Sequence, residues 1–298
     1  MKHMTTFFKG WGWAWITIAS CIASPALGQD LLDLLNEGVV EETRPVEATF
    51  KDTRIVNVQS NETPAEGVMH FVIAHRFGTL NSGIYELWGL DNAQMRMALD
   101  YGLNDRLAVG VARNTYQKTY ELNVKARVLQ QTTGPEAFPV SVTWYSVAMA
   151  NGLRPSEGMA MPFSHRLSYV HQVVLARKMT EKWSLAFVPS FVHRNVVTTP
   201  DEVHDVWTAG VGTRWKVAPR VSLNGEYHHY LSEQFDDSFS PSLSLGVDLE
   251  TGGHVFQLHV TNARGMFERS FLAEPAGKWG TGDVYFGFNL SRVFTVRD

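Results

Sequence analysis

From residue 68 to the C-terminus, apolar and polar residues alternate with a period of two. The stretch SLSLGVDLETGGHVFQLHVT, residues 242–261, shows this most plainly. Leu243, Leu245, Val247 and Leu249 alternate with Ser242, Ser244, Gly246 and Asp248. Phe256, Leu258 and Val260 then alternate with Gln257, His259 and Thr261. Such a period places each set on one face of a strand. Gly252-Gly253 supplies the positive-φ conformations of a tight hairpin turn. The same pattern predicts strands near residues 68–77, 94–101, 107–112, 122–128, 140–145, 167–178, 183–194, 207–216, 221–228 and 284–294. That makes about twelve strands, with boundaries good to a few residues.

The connections alternate in length. Asn104-Asp105, Glu181-Lys182, Pro219-Arg220 and Gly252-Gly253 are short; residues 79–93, 151–162, 197–205, 232–241 and 262–280 are long. Short turns at one end and long loops at the other are the layout of outer-membrane barrels. No segment of helical period separates the strands, which argues against α/β folds.

The polar faces carry many charges, so they face either bulk water around an apolar core or a wet lumen with apolar faces toward lipid. Three features favour the lumen. Twelve strands exceed the roughly eight at which a small barrel interior fills with side chains. Gly110, Gly210, Gly212 and Gly246 sit on the polar face, where a lumen is crowded. Trp144, Trp183, Trp207, Trp215, Tyr101 and Tyr227 lie on the apolar face near strand ends, as an interfacial girdle does. The fold class is therefore all-β: a single antiparallel up-and-down transmembrane β-barrel over residues 68–298. The candidate lumen residues are Arg76, Arg96, Lys125, Arg127, Arg194, Arg214, Glu226, His228, Asp248 and His259.

Residues 1–28 read as an export signal. Lys2, His3 and Lys9 precede an apolar run at 11–23, and Ala26-Leu27-Gly28 is a small-x-small cleavage site. Ile18-Ala19-Ser20-Cys21 offers a rival, lipobox-like reading. Cleavage after Gly28 leaves a mature chain with no cysteine, hence no disulfide, thiolate nucleophile or Cys-ligated metal. Residues 29–67 form an N-terminal segment: an amphipathic stretch at 30–36 (DLLDLLN), then a polar region with Pro45 and Pro64 that reads as a leader, a plug or a loop.

Composition narrows the class further. Hydrophobic content of 44% with 19% charged residues excludes a disordered chain, and a net charge of −4 gives no basic footprint for nucleic acid. Aromatics at 12% favour β structure. The chain is on average too polar for a multi-helix membrane protein.

The runs FKDTRIVNVQSNET, HRFGTLNSGIYELWGLDNAQMRMALDYGL, FVHRNVV, SLGVDLETGGHVFQLHVTNARGM and FGFNLSRVF resemble an uncharacterised β-barrel family of Bacteroidetes-type bacteria, a domain of unknown function. The resemblance spans residues 50–296. It implies an outer-membrane-type barrel and carries no catalytic residue.

Candidate chemistry is sparse. His75-Arg76, His165-Arg166 and His193-Arg194 read as a basic ladder or as a salt-bridge network at the rim and lumen. His228, His229, His254 and His259 do not converge as zinc ligands must, since neighbours on a strand diverge. Ser and His are plentiful, including Ser222, Ser244, His228 and His259, but no His-x-Ser spacing marks an acyl-transfer site. No cofactor and no catalytic site are expected. The functional reading is an outer-membrane barrel forming a narrow channel or transporter for small polar or anionic solutes. The alternatives are a structural or docking barrel for a periplasmic or surface partner, and a lipid-modifying enzyme. The partners in these readings are outer-membrane lipid, a small polar solute or a periplasmic protein.

Overall fold

The computed structural model describes residues 42–297 except 156–160, 198, 201 and 233–238. The export signal, Cys21 and the amphipathic stretch at 30–36 lie outside the described residues.

A two-residue strand, β1 (Arg44–Pro45), pairs with another, β6 (Thr132–Thr133), outside the main sheet. The main sheet is one closed barrel of twelve strands. These are β2 (Val68–Thr79), β3 (Ala93–Asn104), β4 (Leu107–Asn114), β5 (Tyr120–Leu129), β7 (Ser141–Ala150) and β8 (Leu167–Lys178). They continue with β9 (Trp183–Arg194), β10 (Asp205–Ala218), β11 (Val221–Tyr230), β12 (Ser242–Thr251), β13 (His254–Thr261) and β14 (Tyr285–Thr295). Each strand pairs antiparallel with the next, and β14 closes on β2, with Thr295 opposite Val68. Closure leaves no unpaired sheet edge, the condition for a sheet to sit in hydrocarbon. The first and last strands begin and end at the short-turn mouth.

The alternation sorts residues between two unlike environments. On β12, Ser244 is 0% exposed and Leu245 is 52% exposed. Val111, Leu122, Phe187, Trp207, Val211 and Leu223 are exposed on the outer face in the same way. A continuous apolar wall of this extent has no stable place in water. Trp183 and Trp215 sit directly opposite each other near the short turns, both exposed, and Trp207 lies near the long loops. No helix among the described residues is long and apolar enough to cross a membrane; the strands do the crossing.

The inner face differs from a uniformly polar lumen. Strands β7–β9 carry inward apolar residues among their polar ones, through Tyr145, Val147, Met149, Val170, Val174, Val188 and Val192, and β10 adds Val206 beside Thr208 and Arg214. Runs such as YVHQVVLA, apolar on both faces, conceal this in the sequence. The remaining strands present polar and charged groups inward.

Two segments fill the interior. Of the readings open for residues 37–67, a surface loop does not describe residues 49–61. Thr49, Phe50, Ile55, Val56, Asn57, Val58, Ser60 and Asn61 are all buried. They form a re-entrant hairpin in which Arg54 bridges Gln59, and Ile55 N–H bonds Val58 C=O at 2.9 Å. Its base lies at the short-turn mouth, where Glu66 N–H bonds the Asp105 carboxylate and Gly67 N–H bonds Gly102 C=O. From the opposite mouth, the long loop between β13 and β14 folds inward. It carries a five-residue helix, α1 (Glu268–Leu272), every residue of which is buried. Phe267, Phe271 and Leu272 join Phe50, Ile55 and Val58 in one cluster with the apolar half of the wall.

Candidate functional site

The hairpin tip is held by main-chain recognition. The Glu226 carboxylate on β11 accepts hydrogen bonds from Val56 N–H (3.2 Å), Asn57 N–H (3.0 Å) and Val58 N–H (3.1 Å). Three successive amides converging on one anion make a nest, the backbone's usual way of holding a carboxylate or phosphate. The wall also grips the carbonyls: Gln257 Nε2 donates to Ile55 C=O at 2.6 Å, Asn289 Nδ2 to Val56 C=O at 3.3 Å, and Lys125 Nζ to Thr53 C=O at 2.8 Å. Asn57 is the tip residue whose side chain is read. Its Nδ2 donates to Ser244 Oγ at 2.8 Å, and its Oδ1 accepts from Arg76 at 2.8 Å.

Two wall glycines make room for the tip. A Cβ on Gly212 would collide with the end of Ile55, and one on Gly246 would press on Val56. These glycines mark where the inserted aliphatic side chains fit.

The hairpin and the inward loop are tied to each other. Arg54 pairs with Glu268 at 2.5 Å, and Gln59 Nε2 donates to the same oxygen at 3.0 Å. Arg76 bridges both segments, donating to Asn57 and to the carbonyls of Ala263 (2.7 Å) and Gly265 (3.3 Å). Burial alone would push the Glu268 carboxyl up. The guanidiniums of Arg54 and Arg96 outweigh that and hold it below its ordinary range. Asp52 behaves likewise: burial opposes its charge, but His70, whose Nε2 lies 2.9 Å away, holds it well below the usual carboxylate range.

The structure places the ten candidate lumen residues as follows. Arg76, Arg96, Lys125, Arg194, Arg214, Glu226, His228, Asp248 and His259 are buried; Arg127 is half-buried. Arg96 makes a two-pronged pair with Glu121 at 2.7–3.2 Å. Arg194 pairs with Glu202 at 2.7 Å, and Arg214 with Ser222 and Glu250 at 3.0 Å. Asp248 accepts from Gln257 at 2.6 Å, and His259 Nε2 lies 3.0 Å from Arg76. His228 sits between Gly210 and Phe271, with neither ring nitrogen bonded. The hairpin therefore brings together Arg76, Lys125 and Glu226; Arg194 and Arg214 belong to separate clusters toward opposite rims. Sequence reasoning missed Arg54, Asn57, Glu121, Gln257, Glu268 and Asn289. The one available signal was the glycines on the polar face.

The His-Arg pairs divide across the wall. Arg76 and Arg194 point inward, while His75 stacks on Phe288 outside and His193 pairs with Asp205 at 2.6 Å near the long-loop rim. Among the described residues, no group of three His, Cys, Asp or Glu is placed to hold a metal. Among the described residues, one Ser and His pair exists that spacing could not reveal, because it forms across strands. Ser146 Oγ lies 2.9 Å from His171 Nδ1 on the outer wall. There the two polar groups satisfy each other.

The cavities around the hairpin are about 30 and 10 Å³, room for a water or two at most. At the short-turn mouth a vestibule of about 780 Å³ is lined by Lys51, Asp52, His70, Arg220, Glu250 and His254, among others.

A closed antiparallel barrel with an apolar outer wall and an ionic interior is a transmembrane β-barrel. The chain belongs to the family described as "Membrane bound beta barrel domain (DUF5777)", whose model matches residues 50–294. No curated protein matches the chain. Among solved structures, it is similar to the NanC porin, at 6% identity over 76% of this chain and 98% of that one, with a TM-score of 0.47. It is also similar to an outer membrane channel from Pseudomonas putida F1, at 13% identity over 78% and 97%, TM-score 0.47. A third is the Acinetobacter baumannii outer membrane protein Omp33, at 12% identity over 78% and 100%, TM-score 0.42.

Proposed function

We propose that this protein is an outer-membrane barrel, exported by its N-terminal signal, whose lumen is a narrow, gated conduit for small polar or anionic solutes. The observation that carries this reading is how the lumen is closed. A barrel serving only as a scaffold can fill its interior with its own side chains. Here the stopper is a tethered hairpin, held largely by hydrogen bonds and ion pairs to a wall that remains polar behind it. Withdrawal toward the short-turn mouth, into the vestibule, uncovers the polar wall around Glu226 and breaks the Arg54–Glu268 tie to the inward loop that fills the other mouth.

Purified protein in planar bilayers tests the reading. The unaltered chain should be mostly closed, and Ile55→Asp, which places a charge among Phe50, Val58 and the apolar wall, should give discrete openings. A potassium chloride gradient then reads ion preference from the reversal potential. Silence of both proteins at every voltage would overturn the conduit. An enzymatic reading finds less support. Ser146 is the sixth residue of ten in β7, at a depth where acyl chains rather than ester carbonyls run. Among the described residues no carboxylate orients His171.

A further inference from the structure

We propose that the inner wall around Glu226 is a binding site for peptide backbone. The hairpin is its resident occupant, and short peptides with branched aliphatic residues at a turn are the ligand class that exchanges with it. What the wall reads is mostly main chain. Glu226 takes three consecutive amide N–H groups, and Lys125, Gln257 and Asn289 take three carbonyls. A sugar or a simple ion cannot present three successive N–H donors to one carboxylate, whereas any peptide can in a turn conformation. A small anion is repelled by the Glu226 carboxylate itself, so at this point of the wall, though not along the basic stretch of Arg76 and Lys125, a peptide is the better ligand. Gly212 and Gly246 add selectivity, since the space they leave is filled by the side chains of Ile55 and Val56. With the hairpin withdrawn, Glu226 would be left facing a lumen without its amide donors. A ligand that restores them lowers the free energy of that state.

This deepens the conduit reading. It rests on that reading for transport but not for binding, so the two can fail separately. The probe is a synthetic peptide of residues 50–61, capped at both ends and labelled with a fluorophore. The receptor is the full chain carrying Ile55→Asp and Val58→Asp, which expels the hairpin and leaves the wall intact. Fluorescence anisotropy should show saturable binding, weakened about ten-fold or more when the Val56, Asn57 and Val58 amides of the peptide are N-methylated. Adding Glu226→Gln to the receptor should weaken it comparably. Should the double variant not reach a heat-modifiable folded form, a receptor in which residues 50–61 are replaced by Gly-Ser repeats of the same length takes its place; that change removes the hairpin and buries no charge. No saturable binding, or binding indifferent to N-methylation, overturns the proposal. If the emptied barrel conducts but does not bind, only the peptide site fails. If it binds and blocks nothing because it never conducts, only the conduit fails.

Discussion

A carboxylate ringed by amide donors loses little if one donor moves, and much if its charge is removed. Hydrogen bonds to charged groups contribute about 1.5–3 kcal/mol each, against about 1 for neutral ones. Glu226→Gln keeps the shape and removes the charge. The expected result is a hairpin less firmly held by about 1–3 kcal/mol, read as a rise in open probability in bilayers. An unchanged open probability would show that the tip is held by other contacts. His228 presents the opposite case. Its buried ring finds no hydrogen-bond partner, and an unpaired buried polar group costs about 1–3 kcal/mol. His228→Leu should therefore raise the thermal midpoint of the barrel, and a lowered midpoint would reveal a partner the imidazole needs. The inward direction of these side chains could be read from strand alternation. Their partners could not, because Glu226 meets Asn57 and Arg76 meets Ala263 across long stretches of chain that no local pattern connects.

At the scale of elements, the hairpin and α1 enter from opposite mouths and meet through Arg54 and Glu268. Removing one member of a buried pair strands the other, at roughly 3–5 kcal/mol. Arg54→Met alone should destabilise strongly, and adding Glu268→Leu should recover most of the loss, as a double-mutant cycle of unfolding midpoints would record. Additivity would mean the two segments close the lumen independently. The same pair sets an acid response. Glu268 has a folded value below its ordinary 4.5, so its contribution is complete above about pH 4.5 and is withdrawn as pH falls. Open probability should rise below that pH, and Glu268→Gln should flatten the rise. The insertion of both elements was barely legible in the sequence. Residues 49–61 have the length and polarity of an ordinary loop, and 262–280 reads as one more long connection. What sets them apart is the wall they meet, with Gly212 and Gly246 on one side and the inward-facing apolar residues of β7–β10 on the other.

For the whole molecule, a strict period of two made the twelve strands and their up-and-down order legible, because each one-residue step moves a side chain between lipid and lumen. The pattern is weakest on β8, where Val170, Val174 and Ala176 face inward beside Gln172. The two faces should respond oppositely to substitution. Leu245→Arg puts a charge on the lipid face at a cost of roughly 2–4 kcal/mol near the bilayer midplane, and should reduce the heat-modifiable folded form. Its neighbour Gly246→Val adds bulk inside, where Val56 sits, and should leave the barrel folded while raising conductance. If both variants lose the folded form alike, the hairpin is part of what holds the barrel together rather than a separable stopper.

Only residues 62–67 join the hairpin to β2. So short a tether keeps a segment at an effective concentration on the order of millimolar. A free competitor of equal affinity supplied at micromolar concentration would then occupy about one barrel in a thousand. Exchange at the wall thus requires a solute that is locally abundant, one that binds far more tightly than the chain's own segment, or a pull on the N-terminal side that lowers the local concentration of the rival.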